Sequence, residues 1–385
     1  MEEFIKILSP EYINLTLSNI LLNHKNDIYL IIETVLKIAA FYGGIMSLAG
    51  LLTIGERKIS ALMQDRIGPN RANIFKFTLW GLFHPMADGI KMIMKEDFIP
   101  KNASKILFTI APVISMVPVL VVFAFIPFGN YLDLGFYKIN FIILDSDLSF
   151  FLLIAISSLA IYGTFLGGFS SGNNWGILGA IRAQAQMISY EVVVVLSVLP
   201  VIMIYSASSL SDLTLKQSGT ILGIIPNWGI FVQPVSFLIF FTAALAENKR
   251  TPFDVVEGES EIIGYFIEHG SMRFAAFMFA EYVEIILFSM LASIFFFGGW
   301  QVPYLNDQGF NLGSFFIPIN HYLIVLMQLA SFALKTVFFS VLVIMIRWTL
   351  PRFRFDQIMR LCWANLLPIS VLNLLLTALI IRGIK

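Results

Sequence analysis

The chain has 385 residues, of which 58% are hydrophobic and only 13% charged. No soluble domain of that length carries so little charge, so lipid is the solvent for most of the sequence and an integral membrane protein is implied. Twenty-five cations balance 25 anions, which excludes a basic nucleic-acid face and shifts attention to where the charges lie. The one cysteine, Cys362, excludes an internal disulfide and an all-cysteine iron–sulfur or zinc site, and the four histidines (His24, His84, His269, His321) are too dispersed for a metal motif.

Taking about 20 mainly apolar residues as one crossing, eight spans are predicted, near residues 28–55, 104–126, 148–169, 182–205, 228–246, 274–298, 318–347 and 361–382. The fold expected is an all-α integral membrane protein: a single membrane domain over residues 1–385, with eight transmembrane helices and amphipathic helices in the inner-side loops. No short apolar run with a small-residue cleavage site opens the chain, so the first span is expected to persist in the mature protein. Seventeen of the 25 Lys and Arg fall in or beside the loops after spans one, three, five and seven, and six fall on the other side. The positive-inside tendency makes those loops cytoplasmic or matrix-facing and puts both termini on the periplasmic or intermembrane side. The three outer loops, near 127–147, 206–227 and 299–317, read as polar connectors.

Two inner loops, 56–103 and 247–273, are candidate functional segments. In the first, Glu56, Arg57, Lys58, Arg66 and Arg71 surround the turn signal Gly68-Pro69-Asn70. Phe77, Trp80, Gly81, Met86, Ile90 and Met94 then recur at helical spacing, which predicts an amphipathic element at the membrane interface that Pro85 kinks or breaks. In the second, eight carboxylates between Glu247 and Glu284 meet three cations, where a short inner loop is ordinarily basic. Asp254, Glu257, Glu261 and Glu268 follow spacings of 3, 4 and 7, one stripe on a helix, with Glu259 on another face. A solvated loop helix is the simpler reading. The apolar residues between the acids (Val255, Val256, Ile262, Ile263, Tyr265) favour a segment that dips back toward protein or bilayer. Crowded carboxylates share protons near neutral pH, the property a proton relay needs.

Ionisable residues within spans are costly and face a bundle interior or a water-filled cavity, which singles out Glu191, Glu281 and, one turn on, Glu284. Glu33 and Lys37 form an i, i+4 pair of structural character. Lys335, deep in span seven, must pair or lose its proton and reads as a relay or partner-facing group. Arg273, Arg352 and Arg354 lie near aromatics, and Trp348, Phe353, Phe355 and Tyr265 are candidates to line an amphipathic tunnel for a flat, polar-headed, lipid-soluble molecule. The sequence holds no GxGxxG before a helix, phosphate loop, HExxH or CxxC, so no catalytic residue, nucleotide or metal site is expected in this chain. The pairs Gly43-Gly44 and Gly167-Gly168 predict close helix packing.

Taken together, Glu56-Arg57-Lys58, Gln64-Asp65-Arg66-Ile67-Gly68-Pro69-Asn70, Ala87-Asp88-Gly89-Ile90-Lys91, Ser189-Tyr190-Glu191, Arg250-Thr251-Pro252-Phe253-Asp254, Glu257-Gly258-Glu259-Ser260-Glu261, Phe279-Ala280-Glu281-Tyr282 and Pro351-Arg352-Phe353-Arg354-Phe355-Asp356-Gln357 resemble, in order, the family of membrane subunit 1 (the bacterial H subunit) of respiratory complex I, the proton-pumping NADH:quinone oxidoreductase. The resemblance implies an eight-span subunit in an energy-transducing membrane, at the heel of an L-shaped assembly, partnered by hydrophilic-arm subunits, small membrane subunits and lipids. It implies a quinone tunnel lined by Glu56, Arg57, Arg66, Asp254, Arg273, Arg352 and Arg354, and a proton relay through Glu257, Glu259, Glu261, Glu268, Glu191 and Glu281. Quinone would be substrate of the complex, with iron–sulfur clusters, FMN and NADH in partner subunits and no cofactor bound by this chain. The loop departs from the family pattern in being one residue short between Glu261 and Glu268 and in carrying His269 where Tyr is common. The rival readings are the homologous subunit of a membrane-bound hydrogenase or F420-type dehydrogenase, which only partners distinguish, and a proton-coupled secondary transporter, which inverted repeats would support.

Overall fold

The structure is a computed structural model that describes residues 10–73, 79–133, 135, 138–221, 225–256, 258, 264–306, 309–311 and 316–384, with side chains from Tyr29 onward except those of 311 and 384. The chain packs as two units, residues 1–44 and 45–385. Within the first, Lys37 Nζ lies 2.6 Å from Glu33 Oε1, the i, i+4 pair anticipated from the sequence.

Helices dominate: α1 (Pro10–Met63), α2 (His84–Met94), α3 (Lys105–Val122), α4 (Ser149–Ser170), α5 (Asn174–Tyr205), α6 (Leu210–Lys216), the single turn α7 (Gly229–Val232), α8 (Pro234–Glu247), α9 (Ser271–Phe296), α10 (His321–Thr349), α11 (Phe355–Arg360) and α12 (Leu367–Ile384). Seven stretches among the described residues are long and apolar enough to cross a membrane: 29–63, 105–125, 149–170, 174–205, 271–296, 321–349 and 355–383. The fifth predicted span is the exception. Pro234 lacks the N–H and φ freedom to continue the helix, so 228–246 divides into α7 and the 14-residue α8.

The outer connectors are not the plain polar loops expected, and the fold is not strictly all-α. They carry three small antiparallel sheets: β1 (Tyr131–Asp133) with β2 (Lys138–Asn140), β3 (Thr220–Ile221) with β4 (Ile225–Pro226), and β5 (Leu305–Asn306), β6 (Gly309–Asn311) and β7 (Phe316–Pro318) in order. In register, Tyr131 faces Asn140 and Phe310 faces both Leu305 and Ile317. Pairing within the loop satisfies backbone groups that no helix serves.

Pro85 also acts differently from expectation. It sits in the first turn of α2, where a missing N–H costs nothing, and so starts that helix rather than breaking it. Phe77, expected on the same amphipathic face, lies outside the described residues. Inside α3 and α5, Pro112, Pro118 and Pro200 are tolerated because neighbouring helices cover them. Leu361–Leu366 widens to π geometry just before Pro368, whose missing N–H removes an i→i−4 bond.

Within residues 45–385, α9 packs on α3 and α10, while α5 packs on α4, α8 and α12. α9 is the most enclosed: 61% of its apolar window is buried, against 17% for residues 355–383. Close approach depends on glycine. A Cβ at Gly168 would lie 2.3 Å from the Gly176 carbonyl oxygen, and one at Gly163 2.2 Å from the Ser115 nitrogen. The Gly167-Gly168 expectation therefore holds, whereas a Cβ at Gly43 or Gly44 would meet nothing within 4 Å.

Candidate functional site: a buried row of paired charges

The site is built where α8 ends. Gln186 on α5 donates through Nε2 to the Ala246 and Phe253 carbonyls, at 2.7 and 2.8 Å, and so fastens the start of the acidic loop to the bundle. Lys249 takes a left-handed backbone, φ 55, and it and Arg250 turn their charges into the protein rather than out to water. They are only 1% and 3% exposed. Burial on that scale requires counter-charges, and α1 (Glu56) and α9 (Glu281, Glu284) supply them.

Arg250 is the centre. Its Nη1 lies 3.5 Å from Glu56 Oε2 on α1, its Nη2 lies 3.2 Å from Glu281 Oε2 on α9, and its guanidinium stands 4.6 Å from the centre of the Tyr282 ring. Glu56 also accepts from the Tyr282 hydroxyl at 2.7 Å and pairs with Arg347 at the end of α10. One turn along α9 from Glu281, Glu284 Oε2 is 4.0 Å from Lys249 Nζ. Glu247 is buried with no hydrogen bond to its Oε2, and the charges of Glu191, Glu284 and Lys249 all act on it. Glu191 accepts from Ser158 Oγ on α4. Glu56, Glu281 and Glu284 thus form a chain of buried ion pairs with Arg347, Arg250 and Lys249, and Glu247 and Glu191 lie within electrostatic reach of it.

The other predicted residues that the structure describes make contacts of their own. Asp254 pairs with Arg352 at 3.0 Å, and the Phe353 N–H donates to the Pro252 carbonyl at 2.9 Å, so the segments near 254 and 353 are zipped together. Arg57 pairs with Asp88 at 2.6 Å. Arg273 pairs with Asp97 at 3.3 Å and stacks its guanidinium 5.3 Å from the Phe108 ring centre. Glu268 accepts from Asn173 Nδ2 at 2.9 Å. Arg66 donates to Gln64 at 2.7 Å and Arg354 pairs with Asp356 at 3.2 Å, both at exposed positions. Glu257, Glu259 and Glu261 lie outside the described residues.

His269 closes the loop as an aromatic member. Its ring stacks on Phe108, centres 3.9 Å apart and 8° from parallel, and meets Phe277 edge-on at 5.0 Å. Its Nε2 donates to the Gly167 carbonyl at 3.2 Å, which fixes the neutral tautomer and leaves Nδ1 without a partner. Burial pushes its pKa down to about 4.

Tyr265 is 1% exposed beside an apolar cluster of Ala111, Ala183, Val256 and Phe277, and its ring centre lies 5.5 Å from Lys249 Nζ. Lys335 is paired, as an intramembrane cation must be. It donates to the carbonyls of Phe297, Gly299 and Gln301 at 2.8, 2.9 and 2.7 Å and stands 4.6 Å from the Trp228 ring centre, gathering the turn that follows α9. Sequence reasoning gave no role in the site to Arg250, Arg347, Tyr282 or Glu247. Spacing offered no signal for the first three, because they meet Glu56 from 194, 291 and 226 residues away.

The fold and these buried pairs define a multi-pass helical membrane protein with a charge network joining the segment after α8 to the interior of its most enclosed helix. The sequence matches the NADH dehydrogenase family over residues 36–378, and the chain belongs to that family, as a subunit of an oxidoreductase complex. It is 37% identical over 350 residues to the H subunit numbered 1 of the NADH-quinone oxidoreductase of Cytophaga hutchinsonii, covering 91% of this chain and 96% of that one. It is 39% identical over 355 residues to the H subunit of the Flavobacterium psychrophilum enzyme, covering 92% and 98%. With the H subunit numbered 2 of Geobacter sulfurreducens it shares 40% identity over 342 residues, covering 89% and 94%.

Proposed function

We propose that this chain is the quinone-tunnel and proton-coupling subunit of an NADH:quinone oxidoreductase. In this reading it crosses an energy-transducing membrane eight times, α8 being the short crossing, with both termini on the outer side. Residues 1–385 then form one membrane domain, and α2 lies along the inner interface, where its exposed Met86, Ile90, Ile93 and Met94 meet lipid or partner surface. Redox groups belong to the hydrophilic-arm partners: NADH, FMN and iron–sulfur clusters deliver electrons to quinone at the junction, and this chain supplies polar groups only.

Quinone approaches past Arg57, Arg66, Arg273, Arg352 and Arg354, with Asp254 held by Arg352. The observation that carries the coupling half is Arg250 clamped between Glu56 and Glu281. Glu56 lies in about the last two turns of α1, before the first inner loop, and Glu281 lies inside α9. A change of charge at the junction, transmitted through Glu257, Glu259, Glu261 and Glu268, shifts which carboxylate Arg250 neutralises. A proton is then released or taken up along Glu281, Glu284, Glu247 and Glu191.

The test is Glu281→Gln in the assembled complex in sealed vesicles. NADH-driven quinone reduction and proton translocation should fall together while subunit content is preserved. Unchanged rate and unchanged proton yield in an assembled variant would rule out the relay.

A further inference from the structure

One buried polar group stands outside every pairing above. Asn248 follows Glu247 at the end of α8, is 1% exposed, and among the described residues neither its Oδ1 nor its Nδ2 has a hydrogen-bond partner. Such a group is rare in a folded protein, because burying an amide without partners forfeits its hydration for nothing. Asn248 lines a small cavity of about 10 Å³ between α8, α9 and α10. That is about the space one water needs. Phe240, Ala244, Phe288 and Phe339 make apolar walls, and Ser289 brings the second polar group. Ser289 Oγ donates to the Ile285 carbonyl at 2.7 Å and lies 3.0 Å from Ser340 Oγ on α10. Ser289 and Ser340 are themselves 3% and 0% exposed.

We propose that this cavity binds a single internal water that joins Asn248 to the Ser289–Ser340 hydroxyl pair. An apolar void of this size stays dry, whereas this one offers an amide oxygen, an amide nitrogen and a free hydroxyl lone pair, the two to four polar partners a buried water requires. The consequence is positional. Asn248 precedes Lys249, whose left-handed backbone aims its ammonium at Glu284. A water bridge from Asn248 to α9 and α10 adds to that turn a second anchor besides Gln186 on α5. It also carries the polar row past Glu284 to Ser289, about 7.5 Å further along the helix. The functional half of this inference rests on the relay reading above.

The experiment is a high-resolution map of the intact complex, wild type and Asn248→Leu, read together with coupled turnover and protons moved per electron pair. Water density between Asn248 and Ser289 is expected in the wild type and absent in Asn248→Leu. Coupled turnover should fall about fivefold, the effect of losing one ordinary hydrogen bond, whereas Asn248→Ser, which keeps a polar partner, should stay near wild type. If Asn248→Leu does not assemble, Ser289→Ala removes the other partner and is read the same way. A wild-type map without that density overturns the proposal. So does a variant that has lost the water yet keeps full turnover and proton yield. Glu281→Gln separates the two readings: if it pumps normally while Asn248→Leu loses both water and turnover, the relay fails and the water anchor stands.

Discussion

Replacing Arg250 by Met isolates what the buried row costs and what it contributes. Arg250 is 3% exposed and serves Glu56 and Glu281 at once, so the substitution keeps roughly the side-chain volume and removes the shared cation. Glu56 retains Arg347 and the Tyr282 hydroxyl, and the loss falls first on Glu281, itself 1% exposed. Breaking a buried pair by deleting one partner destabilises by about 3–5 kcal/mol, because the other charge is stranded. Arg250→Met should therefore lower the thermal transition of the detergent-solubilised complex and reduce the amount assembled. Arg250→Met with Glu281→Gln removes the stranded charge as well and should recover about half of that loss, which appears as a favourable interaction energy in a double-mutant cycle. Arg250→Lys keeps the charge but loses the fork that reaches two carboxylates, and should fall between wild type and Arg250→Met. A wild-type transition in Arg250→Met, or a double variant no better than the single one, would refute the reasoning.

Two further outcomes follow from single residues. His269 has a pKa of about 4 when folded against an ordinary 6.5, so its neutral form favours the fold. That stability is complete above about pH 6.5 and drains away as pH falls toward 4, by about 3 kcal/mol at most; the facing charges are Arg273, Asp97 and Glu268. Thermal unfolding of the complex between pH 7.5 and 4.5 should show this slope, and His269→Phe should flatten it; an equal slope in the variant would discount His269. Lys335→Met removes the ammonium donor shared by the Phe297, Gly299 and Gln301 carbonyls just beyond α9, a loss of about 3 kcal/mol for charge-assisted bonds, although Ser293 and Ser331 still serve Gly299 and Gln301. Amide exchange should rise across residues 297–302 in that variant, and unaltered exchange there would show that Lys335 does not hold that turn.

The sequence by itself was enough for membrane residence and for most crossings, because about 20 apolar residues in a row have one stable solution in lipid. It also singled out the acids in unusual places, since Glu191 and Glu281 interrupt long apolar runs. It misjudged α8 and Pro85 because apolar composition does not record where a proline lets a helix begin. The outer sheets escaped notice because strands of two or three residues leave no readable period. Tyr265 and Lys335 show the same limit: an aromatic or a cation in a sequence does not announce its neighbours. Only the tertiary structure decided which charges meet. Arg250 reads as one more inner-side cation until packing brings α1, α9 and α10 around it. Ion pairing depends on distances of a few ångströms between residues separated by about half the chain or more, and hydrophobic periodicity carries no information on that scale.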